Sequence, residues 1–220
     1  MTAEVPDLVS EFHDLYWSSG TWRWTFWRGI PTLKCPLDLW IYQELLWHVR
    51  PQLVIELGTF AGGTTNFLAD MLDLQAAPAD SRVVSVDILD EQALRTHVAG
   101  YEGAPFPTSI RPPHPRVQYL TGDSVSTEIA AHLRDAAAER SPVIVIADSN
   151  HSVAHTYAEL KLYADVVTPG SWFVMEDTDG PEPRTAVERF LAEDERFAAD
   201  PQCEKFYLTF NPGGYLLRRA

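Results

Sequence analysis

The sequence predicts an open α/β, Rossmann-like sheet, mostly parallel, with an antiparallel C-terminal edge strand. Three observations carry this expectation. Short apolar runs alternate with segments of helical period along most of the chain. The first run, Leu53–Leu57, is nearly continuous, as suits a strand buried on both faces of a parallel sheet. Near the end, Asn211-Pro212-Gly213-Gly214 reads as a hairpin joining extended runs near Lys205–Phe210 and Tyr215–Arg218.

Composition sets the outer bounds. The 220 residues suffice for one large domain with a sizeable core. A net charge of −14 argues against a phosphate-backbone partner, so no nucleic acid is expected. No apolar run approaches the ~20 residues of a membrane span, and M-T-A-E-V-P-D lacks the basic region and apolar core of a signal peptide. Cys35 and Cys203 lie far apart without metal-ligand spacing, and a reducing cytoplasm is the expected setting.

Residues 1–50 form the expected N-terminal cap or lid, and 51–220 the Rossmann-like domain. Six tryptophans fall in the first segment: Trp17, Trp22, Trp24, Trp27, Trp40 and Trp47. They suit an aromatic cap on the sheet or a subunit interface. They equally suit a lid whose apolar wall faces a small-molecule acceptor. A homo-oligomer is expected on this ground. Leu37–Val49 reads as a helix leading into the first strand.

Gly58, Gly62 and Gly63 make a turn after that strand, and from Thr64 the pattern becomes helical. A strand, a glycine turn and a helix N-terminus cradle nucleotide-like ligands at the carboxyl edge of such sheets. A dinucleotide site wants G-x-G-x-x-G; here its second glycine is Phe60, whose ring blocks a diphosphate. That counts against an oxidoreductase. A cofactor-binding protein without turnover stays open.

The second strand, Arg82–Val86, ends in Asp87, which suits a grip on two ribose hydroxyls or the N-cap of a helix over 90–98. A proline-rich loop covers 100–116. Val117–Leu120 is a third strand, and Asp123 beyond it either meets an adenine edge or caps the next helix. Pro142–Ala147 is a central strand ending in Asp148, followed by a helix over Ser152–Val166. Ser171–Met175 ends in Glu176-Asp177, and a helix over Thr185–Phe197 follows.

If the strands ending at Asp148 and Glu176 are neighbours, their ends lie about 5 Å apart and gather three carboxylates. Such crowding is costly unless a cation fills the gap, and all-oxygen ligation points to Mg²⁺. Asp177 also suits a helix cap. His151 lies three residues after Asp148, one helical turn away, where an imidazole can take a proton from a cation-acidified hydroxyl. His155, a further turn on, is the weaker candidate. A lone histidine at a helix start is otherwise a cap or surface residue.

The pattern E-x-G-x-x-x-G-G from Glu56 resembles the first motif of S-adenosylmethionine-dependent methyltransferases. A-D-S-N-H (147–151), M-E-D-T (175–178) and W-R-G-I-P-T-L-K-C-P-L-D-L-W (27–40) extend the likeness over most of the chain. Together they resemble the cephalosporin hydroxylase and rhamnosyl O-methyltransferase family. The resemblance implies a class I methyltransferase sheet binding S-adenosylmethionine and Mg²⁺. The acceptor would be a hydroxyl of a small natural product of secondary metabolism, deoxysugars and antibiotics among them. It implies cofactor contacts at Glu56, Gly58, Thr59, Gly62, Gly63, Asp87, Asp123 and Asp148. It also implies metal ligands at Asp148, Glu176 and Asp177 and a catalytic base at His151.

Overall fold

The computed structural model describes residues 4–98 and 109–219. Pro105 and Pro107, in the expected proline-rich loop, lie outside the described residues. Helix α1 (Glu4–Ser19) leads through a 3₁₀ turn (Thr21–Trp24) to a small antiparallel pair, β1 (Phe26–Trp27) and β2 (Ile30–Pro31). Helix α2 (Pro36–Val49) starts on a proline, which suits a first helical turn because its missing N–H is not needed there. Then come β3 (Leu53–Leu57), α3 (Gly63–Leu74), β4 (Arg82–Asp87), α4 (Glu91–Val98), β5 (Val117–Thr121) and α5 (Thr127–Ala138). The chain closes with β6 (Val143–Ala147), α6 (Val153–Tyr163), β7 (Trp172–Met175), α7 (Pro181–Glu193), β8 (Phe197–Ala199) and β9 (Tyr215–Arg218).

Seven strands form one sheet in the order β5-β4-β3-β6-β7-β9-β8. The five from β5 to β7 run parallel, and β9 lies antiparallel between β7 and β8. Alternation along β3 explains its apolar run. Leu53, Ile55 and Leu57 face the core under α5, α6 and α7, while Val54 faces that under α2 and α3. The chain order reverses between β3 and β6, and at such a switch point the ends of neighbouring strands open into a crevice.

Gly58 is needed at that point by the chain itself. Its φ is +101°, and a Cβ there would stand 1.8 Å from the carbonyl oxygen of Asp148. Gly58→Ala is therefore expected to push the ends of β3 and β6 apart and lower stability by about 2–4 kcal/mol, at the upper end of the usual range for point changes. Thermal melting checks this; an unchanged Tm would contradict the packing argument.

The C-terminal hairpin differs from expectation. The strand expected over Lys205–Phe210 does not form, and its place at the edge is taken by β8. Tyr207 has φ +68°, which breaks an extended run. The amide of Phe210 and the hydroxyl of Thr209 are spent on the buried Asp38 carboxylate, at 3.0 and 2.5 Å, not on a neighbouring strand. Helix α7 likewise starts earlier than expected, at Pro181, and ends at Glu193, leaving Phe197 to the edge strand. The antiparallel edge itself is present. No helix among the described residues is long and apolar enough to cross a membrane.

Candidate active site

The carboxyl ends of β3, β4, β5 and β6 enclose a cleft of ≈ 290 Å³, whose walls include Gly58, Phe60, Asp87, Asp123, Asp148 and His155. Four predicted residues, Gly58, Asp87, Asp123 and Asp148, thus share one cavity. Asp87 accepts hydrogen bonds from the amides of Phe60 (2.7 Å) and Leu89 (2.8 Å), and Arg111 stands 3.2 Å away. It anchors the turn as well as facing the cleft. Asp123 accepts from the Val125 amide at 3.0 Å in the turn before α5 and remains on the cleft wall. The cap of that helix is Ser126, whose hydroxyl accepts from the Ile129 amide, so the cap alternative for Asp123 does not hold.

The other glycine-turn residues sit behind the wall. Glu56 is 2% exposed and takes hydrogen bonds from the hydroxyls of Thr65 and Ser85. Burial pushes its carboxyl up to about 7, against the pull of those two hydroxyls. Thr59 shares a hydrogen bond with Ser85 at 2.6 Å. Gly62 makes room for Tyr119 and Arg111, and Gly63 for the backbone of Pro31.

The strands ending at Asp148 and Glu176 are neighbours, as the crowding argument requires. The Asp148 amide donates to Leu57 O (2.6 Å) and the Glu176 amide to Ala147 O (2.9 Å), so both acids continue the sheet ladder. Asp177 then turns outward with φ +54°, held by its amide donating to Asn211 Oδ1 at 2.9 Å. His151 Nε2 lies 3.3 Å from Asp148 Oδ1 and 3.5 Å from Asp177 Oδ2. Single ligand atoms of Asp148, His151 and Asp177 all lie within 4.8 Å of one another, a spacing that suits one metal ion. Glu176, a predicted ligand, is not one of these three; it is tied to the cluster through Lys34, which also pairs with Asp148. Its Oε2 is ion-paired to Lys34, and its Oε1 is buried with no hydrogen-bond partner. An orphaned carboxylate oxygen beside two more acids is a donor set that fits a hard divalent cation.

Lys34 is the residue the sequence argument did not single out. It is 4% exposed and pairs with both Asp148 and Glu176. Burial opposes its charge, but the two carboxylates win and hold it a cation. The Lys34 position in the N-terminal signature was the signal that could have found it. Burial works against the charge of Asp148 too, yet Lys34 and His151 hold its carboxyl below the usual range. Burial pushes Glu176 up to about 8 and Asp177 up to about 6, and the neighbouring Asp148 charge adds to both. His151 is pushed up to about 9, chiefly by its hydrogen bond to Asp148.

On the far side of this cluster lies a second cleft of ≈ 550 Å³, lined by His151, Asp177 and Asp179 and by His13, Asp14 and Trp17 of α1. Trp17 is one of the six tryptophans for which a lid facing the acceptor is an expectation; His13 and Asp14 were not singled out. Trp17 stacks on Trp22, with ring centroids 4.9 Å apart. Trp27 instead packs edge-on against Phe67 of α3 and donates to Asp70 at 2.7 Å, away from both clefts. Sequence reasoning also missed Glu159. It is 1% exposed and gathers Ser124, Ser149 and His155 along the wall of the first cleft. A larger cavity, ≈ 780 Å³, lies between α2 and the sheet near Trp172; Trp47 of the expected cap lies on its wall, and none of the predicted cofactor, metal or base residues does.

A family model described as Rhamnosyl O-methyltransferase/CmcI matches residues 19–219. This chain belongs to that family. It is a methyltransferase of the S-adenosylmethionine-dependent kind. The rhamnosyl O-methyltransferase of Mycobacterium leprae (strain TN) is 30% identical over 96% of this chain and 91% of its own length. Among solved structures, a CmcI structure with Mg and SAM superposes with a TM-score of 0.68 at 22% identity, over 89% of this chain and 77% of that one. CalS11, a TDP-rhamnose 3'-O-methyltransferase, superposes at 0.56 with 18% identity, over 82% and 78%. These two likenesses support the sheet of a class I methyltransferase.

Proposed function

We propose that this family member methylates a hydroxyl of a sugar-bearing natural product of secondary metabolism, using S-adenosylmethionine and Mg²⁺. The observation that carries the reading is that two clefts meet at one cluster. Asp148 belongs to the first cleft, His151 and Asp177 to the second, and the three stand within reach of one ion. A cofactor in the first cleft and an acceptor in the second would face each other across these side chains.

Bound S-adenosylmethionine supplies an electrophilic methyl group, and bound Mg²⁺ supplies positive charge that acidifies and orients an acceptor hydroxyl. Asp148, Glu176 and Asp177 are the residues that would hold the ion. His151, whose Nε2 faces Asp148 and Asp177, is the residue assigned to take the hydroxyl proton once those carboxylates hold the ion in its place. The deprotonated acceptor oxygen would be held by these side chains facing the methyl group that the cofactor supplies, with the sulfonium becoming a neutral thioether on transfer. Trp17 offers the acceptor ring an aromatic face. Most of the rate enhancement comes from positioning and charge control.

Asp87 is assigned the ribose hydroxyls, and Asp123 the adenine edge. Calorimetry tests the cofactor directly. S-adenosylmethionine should bind and NAD should not, because Phe60 closes the diphosphate position. Asp87→Ala removes charge-assisted hydrogen bonds, so affinity for S-adenosylmethionine should fall at least about tenfold. Unchanged affinity would refute the ribose role, and tight binding of NAD in place of S-adenosylmethionine would refute the cofactor.

A further inference from the structure

Lys34 is carried by the loop between β2 and α2, far in sequence from the acids it touches. Leu33, with φ +53°, turns the chain just before it. The side chain is 4% exposed, and its ammonium touches Asp148 Oδ2 and Glu176 Oε2. Burying an ammonium is costly, and a lysine does so only where its partners return that cost. The contacts leave specific oxygens over. Asp148 Oδ1 points toward His151 at 3.3 Å, Asp177 Oδ2 lies 3.5 Å from the same ring nitrogen, and Glu176 Oε1 is buried without a partner. One oxygen of each of the three acids therefore stays clear of the ammonium. With the three acids ionised and the His151 ring neutral, the one ammonium leaves two formal negative charges, the number one divalent cation neutralises.

We propose that Lys34 is a built-in counter-cation of this carboxylate site and sets its affinity for Mg²⁺ through charge. It lets three acids crowd at the strand ends in the metal-free protein. It also weakens the hold on Mg²⁺, since a fixed positive charge sits within a few ångströms of the ion's place. The inference rests on the metal reading given above and deepens it.

Mg²⁺ calorimetry on four proteins tests it: wild type, Lys34→Met, Glu176→Gln, and the double variant Lys34→Met/Glu176→Gln. Formal charge ranks them. Lys34→Met gains one net negative charge and should bind Mg²⁺ at least about tenfold more tightly than wild type, the Coulomb effect of one nearby charge at a protein site. Glu176→Gln loses one and should bind at least about tenfold more weakly. The double variant keeps the wild-type charge and should fall between the two.

Thermal melting is a second readout. Lys34→Met should melt lower than wild type in EDTA and regain most of the difference in Mg²⁺. Should Lys34→Met not fold, the other pair decides, because replacing both members of a buried ion pair is tolerated better than stranding one. The double variant should then bind at least about tenfold more tightly than Glu176→Gln. Equal Mg²⁺ affinity in those two, or in wild type and folded Lys34→Met, overturns the proposal. Wild-type protein that takes up no Mg²⁺ overturns the metal reading itself and this inference with it, which is a different result from binding that ignores Lys34.

Discussion

Replacing His151 by alanine should lower kcat by about 10²–10⁴, the usual worth of a positioned base, while S-adenosylmethionine and Mg²⁺ still bind. The expectation follows from its place between Asp148 and Asp177 at the mouth of the second cleft. It has a pH signature. In the metal-free protein the hydrogen bond to Asp148 raises the imidazole to about 9 from its ordinary 6.5. A raised value means that the charged ring favours folding. This contribution is fully present below about 6.5 and is lost as pH rises through about 9. The same proton blocks the base role near neutrality. A cation held by Asp148 and Asp177 would neutralise the charges that raise His151, and its titration should then move down by at least about one unit. Histidine NMR titration with and without Mg²⁺ reads this shift. The rising limb of kcat against pH should follow it and vanish in His151→Ala. Full kcat in that variant would remove the base assignment and leave the metal claim standing.

Asp148→Ala should be more severe, because one carboxylate serves two partners and a cleft wall. It pairs with Lys34, orients His151 and bounds the first cleft. Loss of this ligand should abolish the heat of Mg²⁺ binding and lower kcat at least about 100-fold, with little rescue by added metal. His151 should titrate lower in this variant, since the bond that raises it is gone. Lys34 would be left with Glu176 alone, so melting should also come earlier. A variant that keeps metal-dependent activity would place the ligand elsewhere.

Much of this site was legible before the fold was known, for identifiable reasons. Glu176 and Asp148 each follow an apolar run that can only be a buried strand. Consecutive parallel strands tend to be neighbours, so their end residues had to meet. Gly58 was legible as a special backbone position, although the neighbour it admits is the Asp148 carbonyl and not a ligand alone. What stayed hidden depends on distant pairing. Nothing within a window around Lys34 says that it will cross to acids more than a hundred residues away. Only the route of the β2–α2 loop over the strand ends decides that. His13 and Asp14 were hidden in the same way, because α1 carries no motif of its own and its role follows from where it lies. The edge strand was misplaced because Leu208, Thr209 and Phe210 have strand-like composition. Asp38, on another helix, claims their polar groups and pulls them inward. Tertiary contact overrode local propensity there.

The central claim is methyl transfer to a sugar hydroxyl that depends on both the cofactor and the metal. The most direct test incubates the protein with methyl-labelled S-adenosylmethionine and a rhamnose-bearing glycoside, in Mg²⁺ and in excess EDTA after dialysis. Label in a methyl ether of the sugar with Mg²⁺, and at most a trace with EDTA, is the predicted result. Equal transfer in EDTA, or label on nitrogen or carbon instead of oxygen, would contradict it.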